Sequence, residues 1–532
     1  MKAPRSFFTI LLALSASLLR AQDPSRPDPG FGVGGVAVVS NLTAPAGGEV
    51  AIDSQGRIVV VGTVTINALT DVFVFRYLPN GSLDTTFGTG GGMLFQASNN
   101  ARGQGVAIDE DDNIVVVYDV EITGYRDIFV SRLFGGGANP GTLDASFGPF
   151  AGAYVLSTVN STPAPADSAA SGIAVLEDGR IVIAGNVTNP VATNSGTEDL
   201  VVTRLTAQGW QDPSFNGGNP TYVHFNGANE YATGVAVDSA GRIFVSANFN
   251  AFARVYRLTA AGVPDASVGN VGGAYPLLNA AKMLGNQVWS TGIAVHSDGS
   301  VVMCGSQLGG AVTGNKLWVA KYPQASTTAD WVTEEDYGGF AELAEALAIQ
   351  PDGKVVVVGS STNGPGVAVI RYNADGTRDT TFNNPFGGFA AGITGDPTDR
   401  ALGVALQRNG AIVVTGSNST SFLTLRLGMP RIVAPARFAF PSALVKRNAR
   451  PKTLLLTNTG NALLTGLQFR LAGGGRADFR VQAPSPSTIL SGGRSTYRVQ
   501  FKPLRKGARN AVLQITSANG GGATVRLSGR GR

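Results

Sequence analysis

The stretch Gly172–Gly185 reads Gly-Ile-Ala-Val-Leu-Glu-Asp-Gly-Arg-Ile-Val-Ile-Ala-Gly, two short apolar runs joined by Asp178-Gly179. Asp-Gly between apolar runs predicts a β-hairpin, because the tight turn needs a positive φ at its centre. The unit occurs seven times, at Val50–Gly62, Gly105–Tyr118, Gly172–Gly185, Gly234–Ala247, Gly292–Gly305, Ala346–Gly359 and Gly403–Gly416. The turns of the copies carry Gln55-Gly56, Asp111-Asp112, Asp178-Gly179, Ala240-Gly241, Asp298-Gly299, Asp352-Gly353 and Asn409-Gly410. They lie 56, 67, 62, 58, 54 and 57 residues apart, a period that marks a repeat architecture with variable insertions.

Two further elements recur in step. A Leu-Asp-x-x-Phe-Gly fragment occurs at Leu83–Gly88 and Leu143–Gly148, with looser copies at Asp28 (Phe31), Asp212 (Phe215), Asp265 (Val268 in place of Phe) and Asp379 (Phe382). The fifth copy is degenerate and falls near Asp336-Tyr337-Gly338. After each hairpin another apolar strand ends on a basic residue: Arg76, Arg132, Arg204, Arg257, Lys321, Arg371 and Arg426. Each period therefore holds about four strands. Four antiparallel strands repeated radially predict the blades of a β-propeller, here seven, with residues 28–40 closing the ring beside the last repeat. The chain has 71 glycines and no long stretch with a helical apolar period, so little helix is expected.

Recurrence also assigns roles. A residue present in every copy belongs to the frame, and a guanidinium fork suits a carboxylate. Arg76, Arg132, Arg204 and Arg371 are expected beside Asp84, Asp144, Asp212 and Asp379, and Arg426 beside Asp28. These hairpins and Leu-Asp-x-x-Phe-Gly elements resemble the delta-60 repeat family of bacterial, often secreted proteins, over roughly residues 28–428. The resemblance implies a propeller-like fold and transfers no catalytic residues.

The period ends at Leu427-Gly-Met-Pro430. Beyond it come strands of alternating polarity, such as Tyr497–Phe501 and Ala511–Ile515, with turns such as Asn458-Thr-Gly460, predicting an immunoglobulin-type β-sandwich. The segment resembles the ASPM-SPD-2-Hydin and choice-of-anchor group of Ig-like modules through Leu456–Gly460, Phe501-Lys-Pro503, Ile515-Thr-Ser517 and Leu527–Gly531. No hydrophobic sorting tail precedes Arg532, so covalent surface anchoring is not expected. The fold class is thus all-β, a seven-bladed β-propeller of four-stranded repeats followed by an Ig-like β-sandwich. The domains are a signal peptide at 1–21, the propeller at 22–429 and a basic sandwich at 430–532.

Residues 1–21 pair basic Lys2 and Arg5 with the apolar run Phe7–Leu19, as an export signal does; a buried N-terminal strand is the alternative. The expected location is secreted, periplasmic or cell-surface. The net charge of +5 hides a split. Residues 431–532 carry 18 Lys or Arg and one acid, Asp478, whereas the remainder carries 23 basic and 35 acidic residues. The basic part, with Arg494, Arg498, Lys502, Arg505, Lys506 and Arg509, could attract an anionic surface polymer or dock on the acidic propeller. Little aromatic interleaving argues against specific nucleic-acid reading.

No residue is assigned a catalytic, cofactor-binding or metal-ligating role. Gly30-x-Gly32-x-x-Gly35 follows no strand and opens no helix, so it reads as a connection and not as a dinucleotide fingerprint. Asp109–Asn113 and Glu334–Asp336 are read as solvated turns, since neither has the loop of a calcium site. Cys304 follows Val301-Val302-Met303 and reads as a buried inert thiol; His224 and His296 are placed on strands of different repeats. The expectation is a non-enzymatic binding or scaffold protein, with ligand contacts on the insertions Thr158–Ser168, Asn186–Thr197 and Gln307–Asn315. The rival is an extracellular glycan-active enzyme with its site on the propeller axis. Non-repeating acids or His converging in a central pocket would favour that rival; an apolar or featureless channel would favour the scaffold.

Overall fold

A computed structural model describes residues 27–532 apart from connecting stretches, of which 157–166, 189–197, 268–276, 280–286 and 308–314 are the longest. The expected signal segment, His224, and most of the three insertions lie outside the described residues. The chain divides into two compact units, Asp23–Pro430 and Arg431–Ser517 with Gly522–Arg532. Among the described residues there is no α-helix.

In the first unit every hairpin forms where Asp-Gly or its substitute predicts it. Gly179 has φ +80°, and its N–H donates to Leu176 O (2.9 Å) to close the turn. Antiparallel sheets of four strands result. The first runs Ala46–Ile52, Ile58–Ile66, Leu69–Tyr77 and Gly92–Leu94 in spatial order. Two consecutive sets, starting at Glu230 and Val288, are joined into one eight-stranded sheet by the single parallel pair Phe252↔Val288. The last set takes its outer strand from the N-terminus: Val36–Val39 pairs antiparallel with Phe422–Leu425.

The second strand of each set is apolar on both faces because sheets pack against it from both sides. In Ile58–Ile66, Val59 and Val61 enter the core shared with the next sheet, whereas Ile58, Val60 and Val64 enter the core shared with the last one. Each fully buried Val contributes about 1.5–3 kcal/mol. The first strand of each set faces the axis. These axial strands, Ala46–Ile52, Ala101–Ile108, Ser168–Val175, Glu230–Val237, Val288–Val295, Glu342–Ile349 and Arg400–Leu406, neighbour one another in order, and the last returns to the first. The arrangement is that of a β-propeller.

The Arg–Asp pairs form as expected and do more than pair. Arg76, Arg132, Arg204 and Arg371 contact Asp84, Asp144, Asp212 and Asp379 at 2.7–2.8 Å. The guanidiniums of Arg76, Arg132 and Arg204 also lie over Phe87, Phe147 and Phe215 and donate to a carbonyl of the next sheet's connection, Gly135, Ala207 and Ala260 respectively. One interaction set thus ties a sheet to its neighbour.

The fifth repeat corrects the sequence reading. In the other repeats the Asp N–H donates to the carbonyl of the strand-ending basic residue, as Asp84 does to Arg76 O at 2.8 Å. In the fifth, Asp330 donates to Lys321 O at 2.8 Å and so takes that place, whereas Asp336-Tyr337-Gly338 lies outside the described residues. The motif was misplaced because Trp331–Glu335 follows it directly as a strand, without the intervening Phe-Gly turn.

The second unit has two four-stranded sheets. One holds Ile432–Val433, Lys452–Asn458, Arg494–Phe501 and Phe479–Gln482; the other holds Arg437–Ala439, Gly522–Gly531, Gly507–Thr516 and Gln468–Ala472. Inward-facing residues of both, including Leu454, Tyr497, Phe501, Leu513 and Leu527, share one apolar core. Asp478 is buried and holds Arg509 at 2.7 Å.

Candidate functional site

All seven axial strands carry a β-bulge at the same place. The register shifts between Gly47 and Glu49, Gly103 and Gly105, Ala170 and Gly172, Ala232 and Gly234, Ser290 and Gly292, Ala344 and Ala346, and Ala401 and Gly403. A bulge leaves one residue out of the ladder and re-aims its side chain. The extra residues are Gly48, Gln104, Ser171, Thr233, Thr291, Glu345 and Leu402. The positions after them are small, Gly or Ala in six copies, because neighbouring axial strands approach closely there. A Cβ on Gly403 would stand 2.6 Å from Gly48 O. The exception is Glu49.

The bulges converge on a cavity of about 160 Å³, lined among others by Glu49, Gln104, Ser171, Thr233, Thr291 and Glu345. Among the described residues its lining includes no Lys or Arg. Glu49 is exposed to the cavity, and the strands packed around it partly desolvate its carboxyl. That poor solvation, reinforced by the negative charge of Glu345, pushes the Glu49 carboxyl up to about 7. Burial raises Glu345 as well, opposed by the nearby Arg400.

Acceptors on neighbouring sheets hold the bulges. The bulge frees the N–H of the residue before it, and the neighbouring sheet supplies an acceptor from its second strand. Gly103, Ala170, Ala232 and Ser290 donate to Thr63 Oγ1, Asp119 Oδ1, Asn186 Oδ1 and Asn248 Oδ1 at 2.7–3.1 Å. Asp119 also accepts from Gln104 Nε2 at 2.7 Å, which orients a cavity side chain. Burial pushes its carboxyl up to about 6. Thr233 Oγ1 lies 2.9 Å from Ser246 Oγ and 3.0 Å from Ser290 Oγ.

The residues weighed from sequence lie elsewhere. Asp109 closes its turn by accepting from the N–H groups of Asp111 and Asn113, and Asp112 accepts from Ser54 of the preceding repeat. His296 sits in the turn after Val288–Val295, not on a strand, and its Nδ1 accepts from Asp298 N at 3.3 Å. Cys304 is fully buried, and burial pushes its thiol up to about 12. Gly32 turns the chain, its N–H donating to Asn80 O (2.9 Å). Sequence reasoning discarded acids on the ground of recurrence and so passed over Glu49 and Glu345. Aligning the copies on the residues before their hairpins would have found both, since Glu49 stands where others have Gly or Ala.

Three segments, 54–87, 176–215 and 350–382, match the family model described as "Domain of unknown function (DUF5122) beta-propeller". Each ends on a Phe that faces a repeat Arg (Phe87, Phe215, Phe382). The match supports a propeller family. No curated protein matches the sequence. Solved structures similar to the chain include polysaccharide lyase Uly1 (11% identity, 74% of this chain, 92% of that chain, TM-score 0.41). Others are Penicillium chrysogenum alpha-L-arabinanase complexed with arabinobiose (10%, 64%, 98%, 0.36) and a glucose dehydrogenase (10%, 73%, 99%, 0.36). These neighbours correct the expectation of a non-enzymatic chain: proteins of similar architecture include enzymes. The physical reason lies in the cavity, where acids that break the repeat escape an argument built only on recurring residues.

Proposed function

We propose that the chain is an exported seven-bladed propeller, 22–429 after a signal peptide at 1–21, followed by an Ig-like sandwich at 430–532. The seven axial strands and the seven apolar cores between successive strand sets support the blade count. Two sheets over one core support the sandwich. In this reading the propeller takes a hydroxyl-rich ligand, a sugar unit of an extracellular glycan, in its axial cavity. The basic module contacts an anionic surface polymer, supported by 18 basic residues against one acid.

One observation carries the axial assignment: the bulge-borne side chains that face the cavity are polar and differ from copy to copy, while the frame around them repeats. Carboxyl, amide and hydroxyl groups are the donors and acceptors that sugar hydroxyls need. A second reading, a glycan-active enzyme at the same place, is favoured by Glu49. A carboxyl that holds its proton near neutrality can serve as a general acid beside a second acid.

The test is a panel of neutral and acidic glycans offered to the full-length protein, with binding followed by calorimetry and cleavage by product release. Glu49→Gln and Glu345→Gln should each weaken binding about tenfold, because each removes a carboxyl oxygen or O–H that hydrogen-bonds sugar hydroxyls. Cleavage abolished by Glu49→Gln with binding retained would establish the enzymatic reading. Absence of binding and cleavage across the panel would overturn both.

A further inference from the structure

The geometry points to a specific carboxylate-binding groove on the second unit, between Arg437 and Arg526, that takes the uronic-acid units of an acidic polysaccharide. This rests on the reading of the basic module as a polyanion contact and narrows it to one face.

Register creates the groove. Arg437–Ala439 pairs parallel with Gly522–Gly531, placing Arg437 directly beside Arg526. Val512 pairs with Arg526 from the other side, and Asn510 with Ser528. Strand alternation turns Phe438, Leu527 and Leu513 into the core and leaves both arginines exposed on one outer face. The result is a groove of about 490 Å³ lined by Arg437, Gly473, Asn510, Val512, Arg526 and Ser528. Gly473 contributes no side chain to fill it.

Two guanidiniums on adjacent strands, roughly 5 Å apart at the backbone, repel when no anion lies between them. The unit has one acidic side chain to offer. Its single acid, Asp478, is buried and committed to Arg509 (2.7 Å) and to the Leu504 N–H (2.6 Å). A planar carboxylate fits two guanidinium forks. Beside them the Asn510 amide and Ser528 hydroxyl match the hydroxyls of a sugar ring. Among the described residues the lining contains no aromatic side chain, so a nucleic acid would find phosphate partners there but no platform for its bases.

Binding of full-length protein to polygalacturonate, dextran and single-stranded DNA tests this. Native protein should bind polygalacturonate and not dextran, with DNA a weaker competitor. Arg437→Gln/Arg526→Gln should weaken polygalacturonate binding about 10–100-fold, because two charge-assisted bidentate contacts are lost. Arg494→Gln/Arg498→Gln, which removes the same charge from the opposite sheet, should change it less than about threefold. Arg437→Lys/Arg526→Lys keeps charge but loses the fork and should still weaken binding about fivefold or more; this pair remains informative if the Gln pair fails to fold. Equal losses from both Gln pairs, or no loss from the Lys pair, would overturn the groove while leaving a diffuse polyanion contact standing. Failure of native protein to bind polygalacturonate, or DNA bound as tightly, would overturn the polysaccharide reading itself.

Discussion

Arg426 and Asp28, 398 residues apart in sequence, meet with Arg426 Nη2 2.6 Å from Asp28 Oδ2. Both are buried, and the guanidinium also lies over Phe31 and donates to Pro79 O. The N-terminal segment thus completes the last repeat with the same contacts that the other repeats make within themselves, and reaches the first repeat as well.

Asp28→Ala should therefore cost about 3–5 kcal/mol, the consequence of leaving a buried guanidinium without its carboxylate. Asp330→Ala, at the matching position of the fifth repeat, should cost less than about 1 kcal/mol, since Asp330 is exposed and Lys321 instead contacts Asp298 at 3.5 Å. Urea unfolding of the two variants measures the contrast; equal losses would show that Arg426 is held by its other contacts.

Asp119 occupies a position where two other repeats use Asn186 and Asn248 for the same job. Its folded-state carboxyl sits at about 6, above its ordinary value of 3.8. The native state thus holds a proton that the unfolded chain releases, and stability falls as pH rises from about 4 to 6. Asp119→Asn keeps the acceptor for Ala170 N–H and cannot ionise. At pH 7.5 it should be more stable than the native protein by on the order of 1–3 kcal/mol, an advantage lost by pH 4. Asp119→Ala leaves the N–H unsatisfied and should cost about 1–3 kcal/mol relative to Asp119→Asn at any pH. Thermal melts across pH check both.

Glu49 follows the same sign in a higher window. Its carboxyl is raised from 4.5 to about 7, so the native state is protonated there and loses stability as pH rises between those values. Water within the cavity screens the group, so the effect should be on the order of 1 kcal/mol. Glu49→Gln should flatten this part of the stability–pH curve. Glu345→Gln should lower the Glu49 midpoint, read by carboxyl-resolved NMR or infrared titration, because it removes the neighbouring negative charge.

Gly403→Ala places a methyl group 2.6 Å from the Gly48 carbonyl oxygen, closer than the strands can accept unchanged. A loss of about 1–3 kcal/mol is expected, even though the sixth repeat has Ala346 at the corresponding position. A neutral result in thermal unfolding would mean that the axial strands can separate freely at the bulge.

What the linear sequence determined is whatever depends on local chemistry repeated in step. Asp-Gly turns specify hairpins, β-branched runs specify strands buried on both faces, and the spacing of Arg and Asp specifies their pairs, including the distant one between Arg426 and Asp28. Tertiary structure decided what depends on a one-residue irregularity. The bulge in each axial strand turns Gln104, Ser171, Thr233, Thr291 and Glu345 toward one cavity and brings Glu49 beside them. No local pattern announces it, because a bulge is stabilised by acceptors on another sheet, such as Asp119 and Asn248. The carboxyl shift of Glu49 likewise exists only once neighbouring axial strands have packed around it and brought Glu345 near.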